Sequence, residues 1–198
     1  MKLYFSPGAC SLSPHIVAAE AGLAIETEKV DLKTHKTQSG EDYYRINPKG
    51  YVPALRLDDG RMLTEGPAIV QYLADQSPDS GLIPAQGDFG RYKVLEWLAF
   101  INGEIHKSFA PLFGKGSDDE KSAAREKIAG RLTYVGEQLG SQPYLTGGAF
   151  TVADAYLFVM LRWAAKLDIA VADNLKALRE RIAARPKVAA VLKKEEAA

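Results

Sequence analysis

Two hydrophobic patterns divide the chain. Up to about residue 76, short apolar runs alternate with single helical stretches, whereas beyond residue 88 apolar positions recur every three or four residues and no strand pattern stands out. "KLYF" (2–5) and "IETEKVDL" (25–32), which alternates near its start, predict strands. Between them "HIVAAEA" predicts a helix with Ser11 or Ser13 as N-cap, Pro14 in an early position and Gly22 as the stop. This unit of about 30 residues has the size of a parallel strand–helix–strand crossover. The polar segment 33–50, punctuated by Gly40, Asn47, Pro48 and Gly50, predicts a loop with one short helix around "GEDYYRI". In "VPALRLDDGRML" (52–63), two apolar runs flank Asp59-Gly60, a pair suited to a type I′ hairpin. A helix over 65–76 follows, with Thr64 as cap and Pro67 in its first turn.

The order βαβ, loop, ββα ends near residue 76, and "SPDSGLIPAQGD" (77–88) then concentrates Pro, Gly, Ser and Asp as linkers do. Helical periodicity covers 89–113, 118–139, 152–167, 174–184 and 187–195. The expected architecture is an α/β domain over 1–77, a linker at 78–87 and an all-α bundle over 88–198. Thr151 and Asp154 form a capping box ahead of a buried helix, which is a folding device rather than a site.

With 46% hydrophobic and 25% charged residues the chain is an ordinary globular one, and its 25 basic side chains balance 25 acidic ones. Net charge therefore gives no reason to expect nucleic acid or an anionic membrane as partner. The longest apolar run, Ala155 to Leu161, is far short of the roughly 18 residues of a membrane span, and the N-terminus lacks the pattern of a secretion signal, so a cytoplasmic location is expected. The single cysteine, Cys10, excludes an internal disulfide and a dithiol redox pair.

Cys10 admits two readings. It is a small buried hydrophobe, or it is a thiol at the first turn of a helix, where free N–H groups and the dipole favour a thiolate. Cys10-Ser11-Leu12-Ser13 repeats a thioredoxin-type spacing with serine in place of the resolving cysteine. Such a site bonds an external thiol or holds a ligand's sulfur. Pro53 heads a strand although it has no N–H for the ladder, which implies either an edge strand or a cis Val52–Pro53 bond that frees the Val52 backbone for a peptide-like ligand. Glu65 and Gly66 open a helix, where they either complement the dipole or take the ammonium and carboxylate of an amino-acid head group.

Together "MKLYFSPGACSLSPHI", "INPKGYVPAL", "LTEGPAIVQYLAD", "EWLAFINGEIHKSFAPLF" and "FTVADAYLF" resemble, in order and interval, the glutathione transferases of the bacterial beta class. The resemblance covers nearly the whole chain; only the last dozen residues depart from the usual ending. It implies a thioredoxin-like domain that binds glutathione, a helical domain that helps bind a small hydrophobic electrophile, a homodimer, and no metal or cofactor beyond glutathione as co-substrate. By resemblance, Cys10 touches or bonds the glutathione sulfur and His106 faces it. Val52, with Pro53 cis, pairs its backbone with the cysteinyl part, and Glu65 and Gly66 hold the γ-glutamyl end. Glu104, with Gly103 beside it, reaches that end from the partner subunit. Ser11 and Lys107 stand near the thiol and the electrophile pocket. Where the class often has lysine for the glycyl carboxylate, this chain has His35 with Lys36 next to it. Where asparagine often precedes "GEIH" by a turn, it has Ala99, leaving Asn102 as a substitute.

On a regular helix over 89–113, positions 99, 102, 103, 106 and 110 share a face, which sets His106 on a stripe of small residues. His15 reads as structural, and Phe109 and Phe113 serve equally as core or as pocket lining. The expected activity is detoxifying conjugation of reduced glutathione, with glutathione-dependent thiol transfer through a Cys10 mixed disulfide. The alternative is a non-catalytic ligand-binding or stress-related protein of the same fold.

Overall fold

Strands β1 (Lys2–Phe5), β2 (Glu26–Asp31), β3 (Lys36–Thr37), β4 (Ala54–Arg56) and β5 (Met62–Thr64) form one mixed sheet ordered β3-β2-β1-β4-β5 in the computed structural model, which describes all 198 residues. Leu3, Tyr4 and Phe5 are all buried; since successive side chains point to opposite faces, both faces of the central strand are covered. β1 and β2 run parallel, Leu3 opposite Thr27, as the crossover through helix α1 (Leu12–Glu20) requires, while β4 and β5 are antiparallel. Leu12 to Ala18 of α1 are buried, and the helix stops where predicted: Gly22 turns left-handed (φ 72°), and the Leu23 and Gly22 N–H groups close on the Ala18 and Ala19 carbonyls at 2.9 and 3.1 Å.

Two turns differ from expectation. Leu57 donates to the Arg61 carbonyl at 2.8 Å and Gly60 to the Leu57 carbonyl at 3.0 Å, so Asp58 to Gly60 form a three-residue loop in which only Gly60 has positive φ. A type I′ turn needs positive φ at two successive residues, and Asp59 instead accepts the Arg61 N–H at 3.0 Å. Helix α2 (Gly66–Asp75) is preceded by Glu65 rather than capped by Thr64, which stays in β5 opposite Ala54.

Helix α3 (Phe89–Phe100) continues into a π turn (Ile101–Ile105), a 3₁₀ turn (His106–Phe109) and the short α4 (Ala110–Phe113). Helices α5 (Asp118–Leu139), α6 (Val152–Lys166) and α7 (Asp173–Ala183) complete this part. Val152 to Leu161 are all buried, making α6 its core. The Asp154 carboxylate accepts the Thr151 N–H and hydroxyl at 2.9 and 2.8 Å and the Leu145 N–H at 2.8 Å. Burial nevertheless raises its pKa to about 6 against those three donors. Below the ordinary value of 3.8 the group is neutral folded or unfolded; as pH rises from there through about 6, only the unfolded chain ionises freely and stability falls. The gap is worth about 3 kcal/mol. Urea denaturation from pH 4 to 7 therefore shows a decline that Asp154→Asn lacks; equal slopes refute it.

The chain divides into two compact units, Met1–Ile83 with Ala184–Ala198, and Pro84–Ala183. The expected division was 1–77 and 88–198; by packing, residues 78–83 and the last helix group with the first unit. Leu82 and Ile83 are buried within the polar-looking linker. The last helix, α8 (Pro186–Glu196), packs on α1 of the first unit. Its Val188 and Val191 are buried, and Arg185 forks both oxygens of Glu20 at 2.8 Å. Glu195, also buried, accepts from His15 Nδ1 at 2.9 Å and from the Gly8 N–H at 3.0 Å. Periodicity marks α8 as a helix but carries no trace of which unit it covers.

Candidate functional site

The chain leaves β1 and enters α1 through a loop that closes on itself. The buried Ser11 hydroxyl accepts the Ser6 N–H at 3.1 Å and donates to the Ser6 carbonyl at 3.2 Å, so Ser11 braces the loop and does not cap the helix with its side chain. Gly8 turns left-handed and donates to Glu195. The result holds Cys10 Sγ 3.2 Å from the Val52 carbonyl, with the N–H groups of Cys10 and Ser11 facing the sulfur. Burial pushes the thiol up to about 11; the Glu65 carboxylate adds to the rise and the two N–H groups only partly offset it. Burial therefore opposes the thiolate that the helix start favours. Desolvation outweighs the first helical turn, and Cys10 is a donor, its S–H given to Val52.

Val52–Pro53 is cis, and Val52 is buried. The Tyr43 hydroxyl and Asn47 Nδ2 both donate to the Tyr51 carbonyl, at 2.9 and 2.7 Å, fixing the backbone that leads into this turn. A Cβ at Gly66 would lie 4.0 Å from the Pro53 ring, so the start of α2 abuts the turn. Glu65 holds a left-handed φ of 70° and pairs with Lys49 at 2.7 Å. Cys10, Val52, Pro53, Glu65 and Gly66 are therefore gathered in the first unit. His35 stacks on Tyr44 at 4.5 Å and lies against Gly50, and its Nδ1 is buried with no hydrogen-bond partner. Lys36 is exposed at the sheet edge. Sequence reasoning passed over Lys49, which lies in a loop without periodicity; its signal is the motif "INPKGYVP".

In the second unit the π turn breaks the regular face on which His106 was placed. The His106 N–H reaches back five residues to Ile101, so geometry beyond residue 100 does not follow the 3.6 period. His106 Nδ1 lies 2.5 Å from the Tyr156 hydroxyl, which donates to Asn102 Oδ1 at 2.9 Å. The imidazole meets Trp163 edge-on at 5.1 Å, and Trp163 also contacts Phe109 and Phe113 at 5.3 and 4.9 Å. Phe109 is fully buried, whereas Phe113 is half exposed: one is core and the other an accessible wall. Glu104 is held by Arg131 at 2.9 Å, and Gly103 and Lys107 are exposed. Tyr156 and Trp163, absent from the sequence-based site, lie about 50 residues away on α6, where their motif reads only as core. No group of three or more His, Cys, Asp or Glu side chains could hold a metal ion, and no helix is long and apolar enough to cross a membrane.

A thioredoxin-like unit with a thiol at its first helix, joined to a helical unit, is the architecture of the glutathione transferases. Residues 8–76 match the model of the glutathione S-transferase N-terminal domain and residues 103–195 that of the C-terminal domain. The chain is 46% identical to glutathione S-transferase GstA of Escherichia coli O157:H7, over 98% of each chain. It superposes on a sphingomonad glutathione S-transferase complexed with glutathione at a TM-score of 0.95, with 48% identity over 100% of each chain. The bacterial beta-class glutathione S-transferase of Sphingomonas chungbukensis gives a TM-score of 0.93, with 46% identity over 98% of each. The chain belongs to the glutathione S-transferase family, in its bacterial beta class, and is a glutathione transferase.

Proposed function

We propose that the enzyme binds reduced glutathione along the Cys10 loop, the Val52–Pro53 turn and the start of α2, and conjugates it to small hydrophobic electrophiles as a cytoplasmic homodimer. The observation that carries this is Cys10 Sγ at 3.2 Å from the Val52 carbonyl, under the N–H groups of Cys10 and Ser11. When the Cys10 S–H turns from the Val52 carbonyl to a bound ligand, it joins the two N–H groups as a third donor to the ligand's sulfur anion, which lowers the glutathione thiol pKa. The thiolate attacks the electrophilic carbon, a C–S bond forms, and the leaving group departs with its electron pair; the thiol proton is lost to solvent.

Val52 pairs with the cysteinyl part of the tripeptide. Glu65 takes its ammonium in place of Lys49, and the Gly66 N–H takes the adjoining carboxylate. His35 rather than Lys36 meets the glycyl carboxylate, because its buried Nδ1 has no other partner. His106, Trp163 and Phe113 line the electrophile side, with Lys107 beside them, and Gly103 and Glu104 serve the partner subunit's tripeptide. The sphingomonad relative was solved with glutathione, which supports the tripeptide as ligand.

Thiol transfer through Cys10 is the slower route, since a protonated thiol is a poor nucleophile. In Cys10→Ala, conjugation of glutathione to 1-chloro-2,4-dinitrobenzene persists within about tenfold, the worth of one hydrogen bond, while glutathione–disulfide exchange is abolished. Loss of both assigns the nucleophile to Cys10. Saturable heat of glutathione binding without turnover on any electrophile marks a non-catalytic binder.

A further inference from the structure

We propose that Tyr156 is a positioning residue for His106, holding its ring, with Asn102, in the tautomer protonated at Nδ1. A phenol carries one proton. Tyr156 gives it to Asn102 Oδ1 at 2.9 Å, so the 2.5 Å contact with His106 Nδ1 requires the proton of that second bond to come from the ring. Nε2 then keeps the lone pair and is the basic nitrogen of the neutral imidazole.

Tyr156 suits this task because it is only 1% exposed, on the core helix α6, and cannot turn away. Trp163 fixes the plane of the ring from one side, and Tyr156 meets it at an interplanar angle of 88°. Asn102 lies in the π turn and His106 directly follows it, and in this geometry both meet one phenol. Asn102, expected as a glutathione contact, has its carbonyl oxygen occupied by the phenol. The role for Nε2, to accept a proton or a hydrogen bond during conjugation, rests on the proposed function; the tautomer does not.

The test is ¹⁵N NMR of histidine-labelled protein at alkaline pH, with His106 assigned through His106→Gln. The wild type shows a pyrrole-type Nδ1 and a pyridine-type Nε2 at His106, and Tyr156→Phe inverts them while Asn102→Asp, which still accepts from the phenol, does not. An Nε2-protonated ring in the wild type overturns the proposal without recourse to any variant, as does a Tyr156→Phe spectrum that keeps the wild-type tautomer. In Tyr156→Phe, kcat falls about tenfold to a hundredfold with KM for glutathione unchanged. Inversion of the tautomer with kcat intact upholds the positioning and instead refutes His106 as a participant in the reaction.

Discussion

Replacing Glu195 with alanine lowers the stability of the protein by about 2–4 kcal/mol, the cost of the two hydrogen bonds its carboxylate accepts. The carboxylate is 4% exposed and accepts at both oxygens, from His15 Nδ1 at 2.9 Å and from the Gly8 N–H at 3.0 Å. Alanine leaves the buried His15 donor without its acceptor, worth about 1–3 kcal/mol, and removes the part-buried bond from the Gly8 N–H, worth about 1 kcal/mol. Glu195→Gln keeps one acceptor and costs less. Urea denaturation of the three proteins measures the series. A loss below about 1 kcal/mol in the alanine variant would mean that Val188, Val191 and the Arg185–Glu20 fork hold α8 in place without it. Because Gly8 lies in the loop that carries Cys10, the variant also loosens that loop, and glutathione binding weakens with it.

Iodoacetamide modifies Cys10 about a hundredfold more slowly than a free cysteine at neutral pH. Alkylation follows the thiolate, and raising the pKa from 9.0 to about 11 cuts that fraction about a hundredfold. The rate of the unliganded enzyme, corrected to that of free cysteine, keeps climbing past pH 9 instead of levelling off. A plateau below pH 8 would show that the helix N–H groups win over burial after all, and would restore Cys10 as the leading nucleophile for thiol exchange. Glu65→Gln removes the nearby carboxylate and shifts the profile modestly to lower pH, whereas a distant surface substitution leaves it in place.

The elements were largely legible because each carries its own period or punctuation. Gly22 stops α1, "KLYF" is too apolar to be anything but a covered strand, and the helices from α5 onward lie within a residue or two of where the spacing puts them. Local chemistry was less readable where two effects compete at one residue. At Cys10 position favours an anion and burial opposes it, and sequence shows only position. The partners of the site were invisible for a different reason. Lys49 on Glu65, Tyr156 on His106 and Glu195 on Gly8 are contacts made across long separations in the chain by residues whose local pattern reads as loop, core and surface helix. The face drawn through Ala99 and His106 failed because it assumed a regular helix, and a π turn leaves no mark in hydrophobic spacing.

The ribosome makes α1 well before α8, the helix that packs on it. At about 5–20 residues per second, synthesis of the intervening Pro84–Ala183 stretch occupies about 5–20 s. Throughout that interval the nascent sheet unit carries a bare greasy flank and an unanswered His15. The first unit therefore closes only once α8 has followed the helical insert, and until then that flank of α1 has no cover of its own.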